Sequence, residues 1–167
     1  MTYTEIQGDL FQHLTRDNYH HELDYKEGPF AVYAHCIAND GKYGAGIAPI
    51  FIDKVFQSGN FVKMLLAENP WDGKGWCLFI SHTEGPYGFK VFEANLITKK
   101  STYGKPTYDT VREALQNLKL DMVESHCSIL RMPKIGSGLD KLEWSKVSEI
   151  VQEVFGDTDI NIEVYYL

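Results

Sequence analysis

Three stretches of this sequence put reactive side chains beside glycine-rich turns. In RMPKIGSGLDKLEW, residues 131–144, a Gly-Ser-Gly turn separates an apolar run from Asp140. Pro133 ends that run, Gly136 and Gly138 permit unusual backbone angles, and Asp140 stands where a helix N-cap would stand. Asp140 is then either a capping residue worth about 1 kcal/mol or a carboxylate that faces a ligand. In HCIANDGKYGAGIAPIF the residues Gly44, Ala45 and Gly46 carry little bulk. Their amides can approach a phosphate at the positive end of a helix, or simply form a tight turn. Two such loops opening helices in one sheet could hold the two phosphates of a diphosphate. The third stretch, LITKKSTYGKPTY, places Thr98, Lys99 and Lys100 just past a strongly apolar run. A lysine there is ordinarily a solvated surface residue. Pointed into a crevice, the Lys99 amine is a candidate nucleophile once it is deprotonated.

Other chemistries find less support. His13, His20 and His21 lie near Glu22 and Asp24, but their spacing matches no metal-ligand pattern, and no metal is expected. His35 sits in an apolar run and reads as a hydrogen-bonded core histidine. Cys36, Cys77 and Cys127 are scattered without CxxC spacing, so neither a disulfide framework nor a zinc site is expected. There is no GxSxG elbow for acyl transfer.

The elements that must position these residues follow from periodicity. TYTEIQ, AVYAHCI, GWCLFISH, GFKVFEANLIT, CSILRMPK and DINIEVYY read as strands. Helical spacing appears in Ile47, Phe51 and Val55, in NFVKMLLAEN, in Val111, Ala114, Leu115, Leu118 and Met122, and in Trp144, Val147, Ile150, Val151, Val154 and Phe155. The first helix is expected to begin around residues 44–47. EGPYG, residues 84–88, is a turn that predicts a hairpin, while residues 14–29 and 69–75 read as loops. Interleaved helices and strands predict a three-layer α/β/α sandwich with a mixed central sheet. In such sheets ligands bind at the carboxyl ends of the strands, which is where all three reactive stretches fall.

At 167 residues the chain suits one domain, residues 1–167. A net charge of -7 argues against tight binding to unmodified DNA, because affinity for a phosphate backbone comes from Lys and Arg. The N-terminus carries no long apolar run, so neither a signal peptide nor a membrane span is expected. A reducing, cytoplasmic setting fits, or a nuclear one reached by diffusion, with the chain as a monomer.

With those residues in place, the sequence resembles a macrodomain. GDLF at 8–11, AHCIANDGKYGAGIA at 34–48, LITKK at 96–100, KPTY at 105–108, MPKIGSGLDKLEW at 132–144 and the final EVYYL occur in the family's order along nearly the whole chain. Within the family it is most similar to the terminal ADP-ribose protein glycohydrolase branch, which includes DNA ADP-ribosyl glycohydrolase antitoxins.

The resemblance implies ADP-ribose as ligand, without cofactor. Asp9 would accept a hydrogen bond from the adenine amino group, with Leu10 and Tyr165 packed on the ring. Gly44, Ala45, Gly46 and Ile47, with Ile135, Gly136, Ser137, Gly138 and Leu139, would flank the diphosphate and distal ribose; Ile37, Thr98 and Pro133 would line the same site. Lys99 and Asp140 would be the catalytic pair. In the implied mechanism the Lys99 amine attacks the anomeric carbon in its open-chain aldehyde form, and Asp140 moves protons and resolves the adduct.

The chain departs from the branch in longer stretches at 12–34 and 67–89, in Ala38 where relatives carry a polar residue, and in Ser137 where a cysteine is expected. The expected activity is release of ADP-ribose from a carboxylate ester or a modified nucleobase, on a protein, a nucleic acid or a small acyl group. Two alternatives are a phosphatase acting on ADP-ribose 1″-phosphate, which need not depend on Lys99, and a reader that binds ADP-ribose without turnover.

Overall fold

In the computed structural model, which describes residues 1–14, 30–82 and 90–167, the six expected strands form one sheet. They are β1 (Thr2–Gln7), β2 (Phe30–Ala38), β3 (Trp76–His82), β4 (Val91–Lys99), β5 (Cys127–Pro133) and β6 (Asn161–Tyr166), in the spatial order β1-β6-β5-β2-β4-β3. Only β3 runs antiparallel to its neighbour, so the sheet is mixed. The β3–β4 pairing agrees with the predicted hairpin; its EGPYG turn lies outside the described residues. So do residues 15–29 of the expected first loop, with His20, His21, Glu22 and Asp24.

Strands covered on both faces should read as continuous apolar runs, and β2 and β4 are buried along almost their whole length. Val32, Ala34, Phe92, Leu96, Leu130, Met132 and Ile162 pack on one face against helices α3 (Tyr108–Glu124) and α4 (Trp144–Phe155). Tyr33, Ile37 and Ile97 pack on the other face against two further helices, α1 (Ile50–Phe56) and α2 (Gly59–Glu68). This is the α/β/α sandwich. A polar row crosses the second face within that apolar layer: Glu163, Arg131, Tyr33 and Glu93 are successive register partners on β6, β5, β2 and β4. Burial requires each to be satisfied, and Arg131 donates to Glu163 at 2.9 Å and to the Tyr33 hydroxyl at 3.0 Å.

Local chemistry fixes the helix starts near the carboxyl edge. Thr107 and Thr110 form a reciprocal capping box at the head of α3, and the Thr110 hydroxyl donates to the Thr98 carbonyl at 2.7 Å. The helix is thereby fastened to the end of β4. Gly75 lets β3 begin against the same turn, since a Cβ built there would lie 1.9 Å from the Thr110 carbonyl oxygen.

The first helix begins at Ala48, at the end of the expected window 44–47, with the Phe51 amide on the Ile47 carbonyl; it continues as the π-helix α1, closed by Gln57 in the left-handed region. Its adjacent pairs Phe51, Ile52 and Val55, Phe56 all turn inward. Of the two roles open to Asp140, the cap of α4 is not the one it takes. The N-cap is Glu143, which makes no side-chain capping bond, so the GSGLD turn precedes the helix rather than opening it.

Candidate active site

The carboxyl ends of β2, β4 and β5 stand side by side, and the loops leaving them surround a cavity of about 500 Å³, a size suited to a small-molecule ligand. One wall is the loop after β2, with Tyr43, Gly44, Ala45, Gly46 and Ile47. The opposite wall is the loop after β5, with Pro133, Ile135, Gly136, Gly138, Leu139 and Asp140. Gly46 and Gly136 have φ of 69° and 72°, a left-handed backbone that favours glycine. The Leu139 side chain reaches across to Gly46, so the two loops nearly meet. Ile37 and Lys99 complete the cavity between them.

Lys99 is the last residue of β4, and the β2–β4 register shifts just before it: Ile37 pairs with Ile97, but Ala38 pairs with Lys99. Such an irregularity re-aims the following side chain. The Lys99 ammonium donates to Asp140 Oδ1 at 2.7 Å and to the Thr102 carbonyl at 3.2 Å, and the two side chains are 14% and 17% exposed. Asp140 reaches that position because the loop folds back on itself. Leu142 N donates to the Gly136 carbonyl, and Lys141 sits at φ 59° with its amide on the Gly138 carbonyl. The turn thus aims the carboxylate into the cavity, the second of the two roles left open for it, and away from α4.

The floor adds a thiol that is not a nucleophile. Burial pushes Cys36 up to about 12, the Asp140 charge adds to the rise and Lys99 offsets part of it, so the thiol stays protonated at neutral pH. His35 is fully buried, contacts Asn95 Oδ1 through Nε2 at 2.6 Å and stacks on Phe51 with ring centroids 3.7 Å apart. Burial brings its pKa down to about 4. It is a neutral core residue beneath α1.

Five of the expected site residues do not line the cavity. Thr98 is buried, and its carbonyl serves the α3 cap. The Ser137 hydroxyl turns back to the Lys134 carbonyl at 2.7 Å. Leu10 and Tyr165 belong to the core beneath the α1 and α2 face, with the Tyr165 hydroxyl bound to Glu163. Asp9 is exposed just beyond β1, at the same edge of the sheet, and its Oδ1 accepts from the Phe11 amide at 3.0 Å. β1 and β6 separate it from β5. Conversely, the cavity includes Lys42, Tyr43, Thr102, Tyr103 and Lys105, which sequence reasoning did not select. Lys42 and Tyr43 lie in the family-like stretch AHCIANDGKYGAGIA and Lys105 in KPTY, and the Asp-Gly pair at 40–41 is a turn marker within the first.

The sequence and the fold are shared with known proteins. No family model matches the chain. It is 35% identical over 164 residues to the ADP-ribose glycohydrolase OARD1 of Homo sapiens, spanning 98% of this chain and 91% of that protein, and matches the Bos taurus protein of the same name to the same extent. Among solved structures it resembles the macrodomain of Mycobacterium tuberculosis DarG, with a TM-score of 0.77, 16% identity and coverage of 99% of this chain and 98% of that one. Thermosipho africanus DarTG in complex with ADP-ribose superposes with a TM-score of 0.75 at 14% identity, over 98% of this chain and 41% of that one. With the Lys99–Asp140 pair between two glycine-bearing loops and a relative matched almost end to end, the chain belongs to the macrodomain family, in its ADP-ribose glycohydrolase branch.

Proposed function

We propose that this hydrolase releases ADP-ribose from a carboxylate ester or a modified nucleobase by cleaving the bond at the distal ribose. The observation that carries this reading is the 2.7 Å contact between Lys99 and Asp140 at the meeting of the two loops. Asp140 takes a proton from the ammonium, and the freed Lys99 amine forms a bond to the anomeric carbon as the bond to the carrier breaks. Water then cleaves the lysine adduct, with Asp140 moving the protons, and free ADP-ribose and lysine are restored. The amides of residues 44–47 and 135–139 take the diphosphate between them. Asp9, exposed at the same edge, takes the adenine amino group; Leu10 and Tyr165 back that region from within the core.

The test is a panel of ADP-ribosylated glutamate, serine, arginine, thymine and guanine substrates together with ADP-ribose 1″-phosphate. The expected result is ADP-ribose release from the acyl-linked or base-linked members. Lys99→Ala abolishes release and Lys99→Arg does not restore it, because guanidinium keeps its charge at working pH. Asp140→Ala stops turnover; where attack survives the loss of Asp140 and only resolution fails, an ADP-ribose adduct accumulates on Lys99, visible as added mass on the intact protein. Phosphate release that survives in Lys99→Ala would instead favour the phosphatase reading. No turnover of any member by the parent protein would leave a reader.

A further inference from the structure

An ammonium group has three N–H bonds, and Lys99 commits two of them to protein: one to Asp140 Oδ1 at 2.7 Å and one to the Thr102 carbonyl at 3.2 Å. Loss of a proton along the Asp140 axis leaves the nitrogen lone pair aimed at Asp140. Attack from there has no room for a substrate carbon. A turn of one staggered step about the terminal carbon–nitrogen bond, about 120°, returns N–H bonds to both acceptors and moves the lone pair to the third direction. That direction is the one no protein acceptor claims among the described residues. The Thr102 carbonyl is therefore what distinguishes a directed amine from a freely rotating one.

A loop carbonyl can do this only if it is held. Asp40, on the neighbouring loop after β2, accepts the Thr102 amide through Oδ2 at 2.8 Å and the Thr102 hydroxyl through Oδ1 at 2.9 Å. The same hydroxyl also lies within reach of the Lys42 carbonyl. Asp40 is itself fixed, since its Oδ1 accepts the Lys42 amide at 3.0 Å and the Asn39 amide next to it continues the β2–β4 pairing onto the Lys99 carbonyl at 2.9 Å. Although burial pushes the Asp40 carboxyl upward, the amides of Lys42 and Thr102, the Thr102 hydroxyl and the Lys42 charge together hold it below the ordinary carboxylate range. It is an ionised hub between two loops of the cavity.

We propose that Asp40 is a positioning residue for Lys99: by holding Thr102 at its amide and its hydroxyl, it fixes the carbonyl that sets the direction of the lysine amine. This rests on Lys99 acting as the nucleophile, and the proton passed from Lys99 to Asp140 is unchanged by it. Two measurements on the parent, Asp40→Ala, Thr102→Val and Thr102→Ser separate the two claims. The first is the ¹⁵N-detected signal of the Lys99 ammonium, which persists only where its protons are held in hydrogen bonds. The second is the division of steady-state turnover between kcat and KM.

The expected result is that the Lys99 signal broadens in Asp40→Ala and Thr102→Val. Their kcat falls by about 10²-fold, the scale of a displacement of roughly 1 Å, with KM and ADP-ribose affinity near those of the parent. Thr102→Ser, which keeps the hydroxyl, recovers most of the signal and the rate relative to Thr102→Val. A sharp Lys99 signal together with parental kcat in Asp40→Ala would overturn the proposal. If the parent turns over no ADP-ribosylated substrate, the catalytic reading fails on its own, and the ammonium signal still decides whether Asp40 holds the lysine.

Discussion

Two aspartates at the carboxyl edge of the sheet have different surroundings and so different work. Asp140 is largely enclosed and bound to an ammonium, whereas Asp9 is exposed with one oxygen occupied by the Phe11 amide. Recognition and catalysis should therefore separate by mutation. Asp9→Ala is expected to weaken ADP-ribose binding by about 1 to 3 kcal/mol, the range for a lost charge-assisted hydrogen bond, while turnover at saturating substrate stays near the parental value. Calorimetry alongside steady-state kinetics checks this; a large fall in turnover with unchanged affinity would contradict the assignment. Residue types made Lys99 and Asp140 candidates in the sequence, a lysine past a buried strand and an aspartate past a Gly-rich turn, but it was the family resemblance that paired them; the fold brings the two together in the cavity. Thr102 was not legible, since what it offers Lys99 is a backbone carbonyl, which every residue carries. Leu10 and Tyr165 were expected on the ligand through the family resemblance; both are buried in the core, beneath the edge that carries Asp9.

At the scale of elements, position at the site depends on how tightly β4, α3 and β3 close on one another. The Thr110 hydroxyl clips α3 to the last turn of β4, one residue before Lys99, and Gly75 is what allows β3 to lie against that clip. A methyl group at 75 would meet backbone and not a flexible side chain. Gly75→Ala is expected to destabilise the fold by at least the 1 to 3 kcal/mol typical of overpacking and to lower turnover by displacing the clip. Urea unfolding with an unchanged m-value reads the first effect; parental stability in Gly75→Ala would show that β3 and α3 stand further apart. Strand and helix positions were legible because apolar periodicity differs between two-residue and 3.6-residue repeats. The winding of α1 was not, since Phe51, Ile52, Val55 and Phe56 fall on one face of either helix type. The start of α4 was legible, since Trp144 opens both the periodic run and the helix; the role of Asp140 was not, because its identity suits a cap equally well and the left-handed backbone at Lys141 carries it past that role.

Over the whole molecule, charge and burial are unevenly distributed. The chain carries -7, yet the cavity is lined by Lys42, Lys99, Lys105 and Lys134 with Asp140 as its acidic member, a local field suited to a diphosphate in a protein that otherwise repels anions. Burial opposes charge on the other face of the sheet, where His35 lies fully enclosed and its pKa is brought from 6.5 down to about 4. Between those two values the unfolded chain binds a proton that the native state does not. Stability contributed by the neutral ring is therefore complete above pH 6.5 and is lost progressively as the pH falls toward 4. Carboxylates also titrate near the lower end, so the test is a difference: urea unfolding of the parent and of His35→Asn at several pH values from 7 to 4. The parent should lose stability more steeply than the variant as pH falls below 6.5, and the gap between their stabilities should narrow. Parallel curves through that window would mean that His35 binds its proton as readily in the folded protein as in the unfolded chain, and that the stack on Phe51 opens to admit it.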